Sequence, residues 1–281
     1  MVKTYTIKAV REAIQNAAGA NKKVGFVPTM GALHQGHLSL IDIAKKNADV
    51  VVVSVFVNPT QFNDPKDFEK YPRTIDDDIK KLDEAGVDIV FNPETSEIYP
   101  EKDTRDFDFG LLDKVMEGKH RPGHFKGVAQ VVSRLFDIVK PQIAVFGEKD
   151  YQQLAVIKKL VNDYNYSIEI IPGPTLREAN GLAMSSRNER LAVDERANAA
   201  VIRAVLLESQ SITGNYTPAQ VEEWVIKKVN HNPHLTVEYF QISDSETLEP
   251  VAGWQENCDY VGCIAVFCGD VRLIDNIKYS L

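Results

Sequence analysis

A run of β-branched residues between Val50 and Val57 constrains the fold of this 281-residue chain more than any other feature. The run is apolar at nearly every position, which is typical of a strand in a parallel sheet that helices cover on both faces. A shorter strand of the same kind is predicted from Lys22 to Val27. The segment between the two, from Gly36 to Asn47, has one apolar stripe at helical spacing. Together the three segments predict a β–α–β unit.

The same alternation of strands and helices continues as far as Ile171. Helices are predicted at 75–85, 127–139 and 151–163, and strands at 87–91, 142–146 and 167–171. This regular alternation predicts an α/β fold with a doubly wound, Rossmann-like parallel sheet.

The pattern changes after Pro172-Gly173-Pro174. Two helices are predicted at 194–211 and 218–230, followed by three strands at 235–242, 260–267 and 271–277. We expect a domain boundary near Leu176, with the doubly wound domain at 1–176 and a smaller α+β domain at 177–281. The sheet of the second domain is expected to be antiparallel or mixed, and the domain is expected to act as a hinged lid.

Charge and composition limit the classes of partner. The formal net charge of −8 disfavours nucleic acid and anionic membranes, because such surfaces are bound through an excess of Lys and Arg. The first ten residues lack an apolar signal segment, and no stretch approaches the roughly 20 apolar residues of a membrane span. We therefore expect a cytoplasmic protein. Cys258, Cys263 and Cys268 lack the spacing and the fourth ligand of a zinc site, which favours buried reduced thiols.

The segment Pro28–His37 carries the strongest indication of function. It leaves a predicted strand, passes through Gly31 and Gly36, and places two histidines at the start of the next helix. Glycines allow the backbone to approach a ligand closely, and a helix N-terminus attracts phosphate. His34 and His37 can also be a helix cap and a surface side chain. Two histidines on either side of Gly36, directly after a strand, favour a phosphate site.

Three further segments allow both a functional and a structural interpretation. Gly147–Asp150 follows a strand and opens a helix, so it suits either a phosphate and ribose contact or an ordinary helix start. Met184–Arg187 offers hydroxyl and guanidinium donors for phosphate, and it is also typical of a flexible linker. Asp76–Asp78 can bind magnesium or complement a helix dipole, and we favour the structural interpretation.

His34-Gln-Gly-His37 resembles the HxGH signature of the nucleotidylyltransferase and class I aminoacyl-tRNA synthetase superfamily; it matches neither GxGxxG nor the Walker A loop. Within that superfamily, the whole segment Pro28–His37 resembles the pantothenate synthetase (pantoate–β-alanine ligase) family. The resemblance extends in order along the chain through Val57–Phe62, Tyr71–Thr74, Arg121–Phe125, Phe146–Gln153 and Met184–Asn188.

This resemblance implies a reaction and a set of site residues. ATP and pantoate would form a pantoyl adenylate and pyrophosphate, and β-alanine would then release pantothenate and AMP. Gln61 and Gln153 would bind pantoate, with Gln61 also near β-alanine, while Arg121 and His124 would add charge over the substrate. The implied catalytic residues are His34, His37, Lys149 and Arg187, with His37 a candidate proton donor. The implied ATP-binding residues are Met30, Gly31, Ala32, Leu33, His34, Gln35, Gly36, His37, Gly147, Glu148, Lys149, Asp150, Leu176, Met184, Ser185, Ser186 and Arg187.

Further expectations and alternatives accompany this interpretation. Mg²⁺ is expected to accompany ATP, and a homodimer is expected from the resemblance. An adenylyltransferase that keeps the adenylate as its product shares the HxGH signature. A fragment of a tRNA synthetase is disfavoured by the acidic charge, and a non-catalytic nucleotide-binding module by the number of phosphate-directed cations.

Overall fold

The computed structural model describes residues 1–63 and 65–280, and its larger sheet has six strands. All of its strand pairs are parallel. The spatial order is β1-β4-β3-β2-β5-β6, with the strands β1 (Val2–Thr4), β2 (Val24–Thr29), β3 (Val50–Val55), β4 (Ile89–Phe91), β5 (Ile143–Gly147) and β6 (Glu169–Gly173).

Helices cover both faces of this sheet. Val50 and Val52 of β3 pack into a core formed with α1, α7 and α8, whereas Val51 and Val53 face a second core formed with α2 and α4. The doubly wound arrangement predicted from the sequence is thereby confirmed. The helices are α1 (Ile7–Ala18), α2 (Gln35–Asn47), α3 (Pro65–Lys70), α4 (Ile75–Glu84), α5 (Thr95–Ile98), α6 (Met116–His120), α7 (His124–Val139) and α8 (Tyr151–Asp163).

The C-terminal part is a separate antiparallel sheet, β7 (Leu235–Asp244), β8 (Asp259–Cys268) and β9 (Val271–Ser280), which follows α9 (Val193–Gln210) and α10 (Pro218–Asn230). Ile264 and Val266 of β8 pack against these two helices. Val261 and Cys263 join the core of the larger sheet. The small sheet therefore lies between its own helices and the N-terminal part of the chain. The domain boundary at 176 stays a prediction.

Two elements at the start of the chain were not predicted. β1 has three residues, two of them exposed, so it carries too little pattern to identify. α1 has the helical spacing that the larger elements show, and its N-cap Thr6 accepts a hydrogen bond from the Ala9 amide. None of the helices in the described ranges is long and apolar enough to cross a membrane.

β2 extends two residues beyond its predicted end and contains Pro28. A central strand forms hydrogen bonds with neighbours on both of its sides, and proline has no N–H to donate. β2 pairs with β3 along its whole length, but with β5 only at Gly25 and Phe26, so Pro28 lies where the β5 side has already separated. This separation opens a crevice at the carboxyl end of the sheet.

Candidate active site

The crevice lies at the topological switch point of the sheet. From β2 the chain moves toward β3 and β4, and from β5 it moves the other way toward β6. Ligands of open α/β sheets bind at such a point, beyond the carboxyl ends of the strands. The segment 30–34 follows β2 and the 3₁₀ turn Glu148–Asp150 follows β5, so both predicted phosphate motifs flank the crevice.

His34 and His37 cap the N-terminus of α2 reciprocally. Nδ1 of His34 accepts a hydrogen bond from the Gly36 amide at 3.1 Å, and Nδ1 of His37 accepts from the His34 amide at 3.3 Å. Because each Nδ1 accepts, each neutral ring carries its proton on Nε2. The ring centroids are 4.0 Å apart. His34 is thus a helix cap, which agrees with the structural interpretation. Because the cap uses only Nδ1, the same ring can also donate from Nε2–H to a phosphate oxygen, as the functional interpretation requires.

Both imidazoles are neutral at ordinary pH. Burial, followed by the charges of Lys149 and Lys81, lowers the pKa of His34 to about 4. Burial also holds the pKa of His37 well below its usual value, with smaller contributions from His34 and Lys149. A neutral ring with its proton on Nε2 is suited to donate a hydrogen bond to a phosphate oxygen, rather than to release a proton.

The turn before His34 is supported by α4. Gly31 and Ala32 have φ values of 78° and 49°, in the left-handed region that residues other than glycine rarely adopt. The fully buried Asp78 carboxylate accepts hydrogen bonds from the amides of Ala32 at 2.9 Å and Leu33 at 2.7 Å. Lys81 donates to the Leu33 carbonyl at 2.6 Å. Asp78 is therefore a structural acceptor, and this contact was not foreseen from the sequence.

The other two acids of the Asp76–Asp78 triplet are exposed at the surface of α4. Among residues 1–63 and 65–280, no group of three or more His, Cys, Asp or Glu side chains is arranged to hold a metal ion. The cysteines are all free thiols, with Cys263 and Cys268 buried and Cys258 half-buried.

The turn that follows β5 is held from the C-terminal sheet. Asn276 of β9 donates hydrogen bonds to the carbonyls of Glu148 and Lys149 at 2.8 and 3.0 Å. The Glu148 carboxylate pairs with Lys278 at 2.9 Å and faces a different cavity. Lys149 and Asp150, in contrast, line a cavity of about 540 Å³, which we call the central cavity. Of this motif, the structure therefore directs the side chains of Lys149 and Asp150, but not that of Glu148, toward the site.

The loop Met184–Arg187 closes the opposite wall. Ser185 accepts a hydrogen bond from the Arg187 amide and caps the 3₁₀ turn Ser186–Arg190. The Arg187 guanidinium donates to Asp67 of α3 at 2.8 Å. Leu176, which is 40% exposed, accepts from the Met184 amide at 3.0 Å and so adjoins the loop.

Two cavities share these walls. One has a volume of about 540 Å³ and contacts Lys149, Asp150, Ser185 and Arg187, together with Arg121. The other, of about 710 Å³, is bordered by further residues of the loops predicted to bind phosphate, namely Ala32, Leu33, His34, Gln35, Met184, Ser185 and Ser186. Predicted ATP residues from three distant segments therefore border these two adjoining cavities, whereas Glu148 borders a different one.

A cluster of polar side chains surrounds Gln61, which lies in the 3₁₀ turn Pro59–Gln61 after β3. The buried Gln61 amide contacts the sulfur of Met30 at 2.9 Å and accepts from Asn58 at 3.2 Å. Asn58 was not singled out from the sequence, although it stands in the same Val57–Phe62 segment. It also donates to the Gly127 carbonyl and accepts from the Tyr99 hydroxyl, so it fixes the turn that carries Gln61.

His124 connects the polar cluster around Gln61 to Arg121, which lines the central cavity. Its Nδ1–H donates to the Gln61 carbonyl at 2.8 Å, which leaves Nε2 to accept from Arg121 at 3.1 Å. Burial and the charge of Arg121 lower the pKa of His124 to about 4, so the ring stays neutral. Gln153 lines a small pocket together with His124, Arg121 and Lys149. Of the two residues predicted to bind pantoate, Gln153 therefore lines a pocket together with Lys149, and Gln61 is connected to that pocket through His124.

The open parallel sheet, with a histidine-capped glycine turn at its switch point, belongs to the class of α/β folds that bind nucleotides and similar ligands at this position. A family model of pantoate-beta-alanine ligases matches residues 3–278. The chain is 53% identical to a pantothenate synthetase of Porphyromonas gingivalis and 50% identical to one of Bacteroides thetaiotaomicron, with 98% of each chain covered in both comparisons. It therefore belongs to the pantoate–β-alanine ligase family, and the family predicted from the motifs is confirmed.

Solved structures agree with this assignment. A pantothenate synthetase from Thermus thermophilus superposes with a TM-score of 0.92 at 41% identity, covering 100% of both chains. A pantoate-beta-alanine ligase from Francisella tularensis, complexed with beta-gamma ATP and beta-alanine, gives a TM-score of 0.84 at 39% identity, covering 99% of this chain and 97% of the other.

Proposed function

We propose that the crevice between β2 and β5 adenylates pantoate with ATP and then transfers the pantoyl group to β-alanine, which is the ligase reaction of the family. The observation that carries this proposal is the convergence of neutral Nε2–H donors and cations on one crevice. His34 borders the 710 Å³ cavity, and the centroid of the His37 ring lies 4.0 Å from that of His34. Lys149 and Arg187 line the 540 Å³ cavity, which shares Ser185 with the other, and the charge of Lys149 contributes to the lowered pKa of both histidines. Such an arrangement stabilises charge that develops on phosphate oxygens.

In the first step, a carboxylate oxygen of pantoate attacks the α-phosphorus of ATP. A bond forms between that oxygen and phosphorus, the bond to the bridging oxygen breaks, and pyrophosphate leaves with the electron pair. We assign His34 and His37 to hydrogen bonds with the phosphates and Lys149 to their charge. Arg187 and Ser186 are assigned to the departing pyrophosphate. Gln61 and Gln153 would orient pantoate, because their amides match its hydroxyl and carboxylate groups.

In the second step, the neutral amine of β-alanine attacks the acyl carbon of the adenylate. The bond from that carbon to the phosphate oxygen breaks, AMP leaves, and the amine loses a proton. The chain offers positioning and charge for both steps, so we attribute catalysis to these two effects. We propose that Mg²⁺ arrives on the ATP phosphates, where it usually retains several waters. The homodimer and the cytoplasmic location stay predictions from the sequence.

An AMP-release assay tests the proposed function. The protein is incubated with ATP, Mg²⁺, pantoate and β-alanine, and each substrate is omitted in turn. AMP should accumulate with stoichiometric pantothenate only in the complete mixture. Steady release of pyrophosphate without β-alanine, and with the adenylate as the final product, would instead indicate an adenylyltransferase.

A further inference from the structure

A buried carboxylate joins the C-terminal sheet to α6 at the wall of the 540 Å³ cavity. Glu117 of α6 is 8% exposed. It accepts hydrogen bonds from both terminal nitrogens of Arg272 at 2.7 and 3.0 Å, and from the Tyr239 hydroxyl at 2.8 Å. Arg272 lies on β9 and Tyr239 on β7, so every one of these bonds crosses from the small sheet to the N-terminal part of the chain.

A second cation competes for the same carboxylate. Arg121 lies one helical turn after Glu117, and its Nη1 is 3.4 Å from the Glu117 oxygen that already accepts from Arg272. This single long contact is weaker than the paired short bonds of Arg272. Arg121 instead makes a shorter contact of 3.1 Å with His124, and it borders both the central cavity and the pocket of Gln153.

The carboxylate needs one of the two cations. A buried carboxylate without a partner is strongly destabilising. Burial alone would raise the pKa of Glu117, but the hydrogen bonds and charge of Arg272, followed by the charge of Arg121, lower it to about 2. If the small sheet moves away, Arg272 and Tyr239 leave together, and Arg121 is the neighbouring cation that can replace them. Arg272 itself keeps a partner, because Glu238 of β7 accepts from it at 2.6 Å.

We propose that Glu117 is a switch: docking of the C-terminal sheet pairs it with Arg272 and Tyr239, and this frees Arg121 to bind the carboxylate of β-alanine. The inference rests on the proposed function. β-Alanine keeps its carboxylate throughout the second step, whereas pantoate has its carboxylate bound in the adenylate. An arginine fork matches a carboxylate, and Arg121 faces the cavity next to Lys149. Glu117 is in this account a positioning residue.

Three variants separate the switch from a merely structural contact. In Arg272→Met, Glu117 recaptures Arg121, so the KM for β-alanine should rise about tenfold, the effect of one charge-assisted hydrogen bond. In Glu117→Gln the capture is lost and Arg121 stays free, so this KM should lie within about threefold of the parent value. The double variant Glu117→Gln/Arg272→Met should recover most of the loss. Lys228→Met removes an ion pair within the C-terminal helices and serves as the control.

Pantoate-dependent exchange of pyrophosphate into ATP, measured without β-alanine, is the second readout. It reports the first step alone, and neither Glu117 nor Arg272 is assigned to ATP or pantoate. The exchange rate should therefore stay within about twofold of the parent in all variants, which corresponds to about 0.4 kcal/mol or less. The switch is refuted if the double variant is as weak as Arg272→Met or weaker, or if Arg272→Met loses exchange to the same degree as β-alanine affinity. Absence of exchange in the parent protein would instead refute the proposed function. Arg272→Lys, which keeps the charge, should give a KM between the parent and Arg272→Met.

Discussion

The replacement Asp78→Asn tests whether α4 supports the turn that is proposed to bind phosphate. Asp78 is fully buried, and its two oxygens accept from the amides of Ala32 and Leu33 and from the Thr74 hydroxyl. Asparagine has nearly the same shape but only one acceptor oxygen. If that oxygen stays with Leu33, the new NH₂ group faces the Ala32 amide, and two donors then oppose each other.

The expected loss follows from these contacts. One hydrogen bond to a charged acceptor disappears, which costs about 1.5–3 kcal/mol, and a buried N–H is left unpaired. We therefore expect the free energy of unfolding to fall by about 2–4 kcal/mol. Part of this cost can appear as a shifted turn, since Ala32 already has a φ of 49°. A shift of about 1 Å at His34 would lower kcat/KM for ATP by up to about a hundredfold.

Urea unfolding and AMP release measure the two effects, with Asp76→Asn as the matched control. Asp76 is exposed on the same helix and should tolerate the change within about 0.5 kcal/mol. The dependence on Mg²⁺ should be the same in both variants, because Asp78 is an acceptor for backbone amides. The reasoning is refuted if Asp78→Asn is as stable as Asp76→Asn, or if excess Mg²⁺ restores its activity.

Three further replacements address other parts of the site. Gly127→Ala places a Cβ in steric overlap with the Thr60 carbonyl oxygen, so it should displace the turn that carries Gln61, cost about 2 kcal/mol or more and raise the KM for pantoate. Gly214→Ala, which has open space around it, should leave both quantities unchanged. In the parent, His124 makes the free energy of unfolding fall as the pH drops from 6.5 to 4, because the unfolded ring binds a proton near pH 6.5 and the folded ring only near pH 4. His124→Gln should reduce this fall by up to about 3 kcal/mol. The same pH dependence of the urea-unfolding free energy in variant and parent would contradict this. His37→Ala should lower kcat for AMP release about 10²–10³-fold, and a loss below threefold would refute its role at the phosphates.

Local patterns were enough to predict most of the fold. The β-branched run of β3 and the apolar stripe of α2 depend on neighbours a few residues away, and both elements lie where the sequence placed them. The bounds of α8 and α10 also agree with their predictions. β1 escaped because three residues form an edge strand only through pairing with β4.

Contacts between distant segments were less accessible. Asp78 looked like part of an acidic helix start, and only the fold brings it to a turn 46 residues earlier. Glu117 and Arg272 are separated by 155 residues, and neither stands in a motif with recognisable spacing. The motifs named the residues that are proposed to bind the phosphates, while the side chains that hold those motifs in place are identified by packing alone.

Transfer of an oxygen isotope from pantoate to AMP tests the proposed adenylate most directly. Pantoate labelled with ¹⁸O in its carboxylate is converted in the presence of ATP, Mg²⁺ and β-alanine, and the AMP is analysed by mass spectrometry. Attack of the carboxylate on the α-phosphorus predicts one ¹⁸O in each AMP formed, because the acyl carbon–oxygen bond breaks in the second step. Unlabelled AMP, or label found in pyrophosphate or phosphate, would contradict the mechanism.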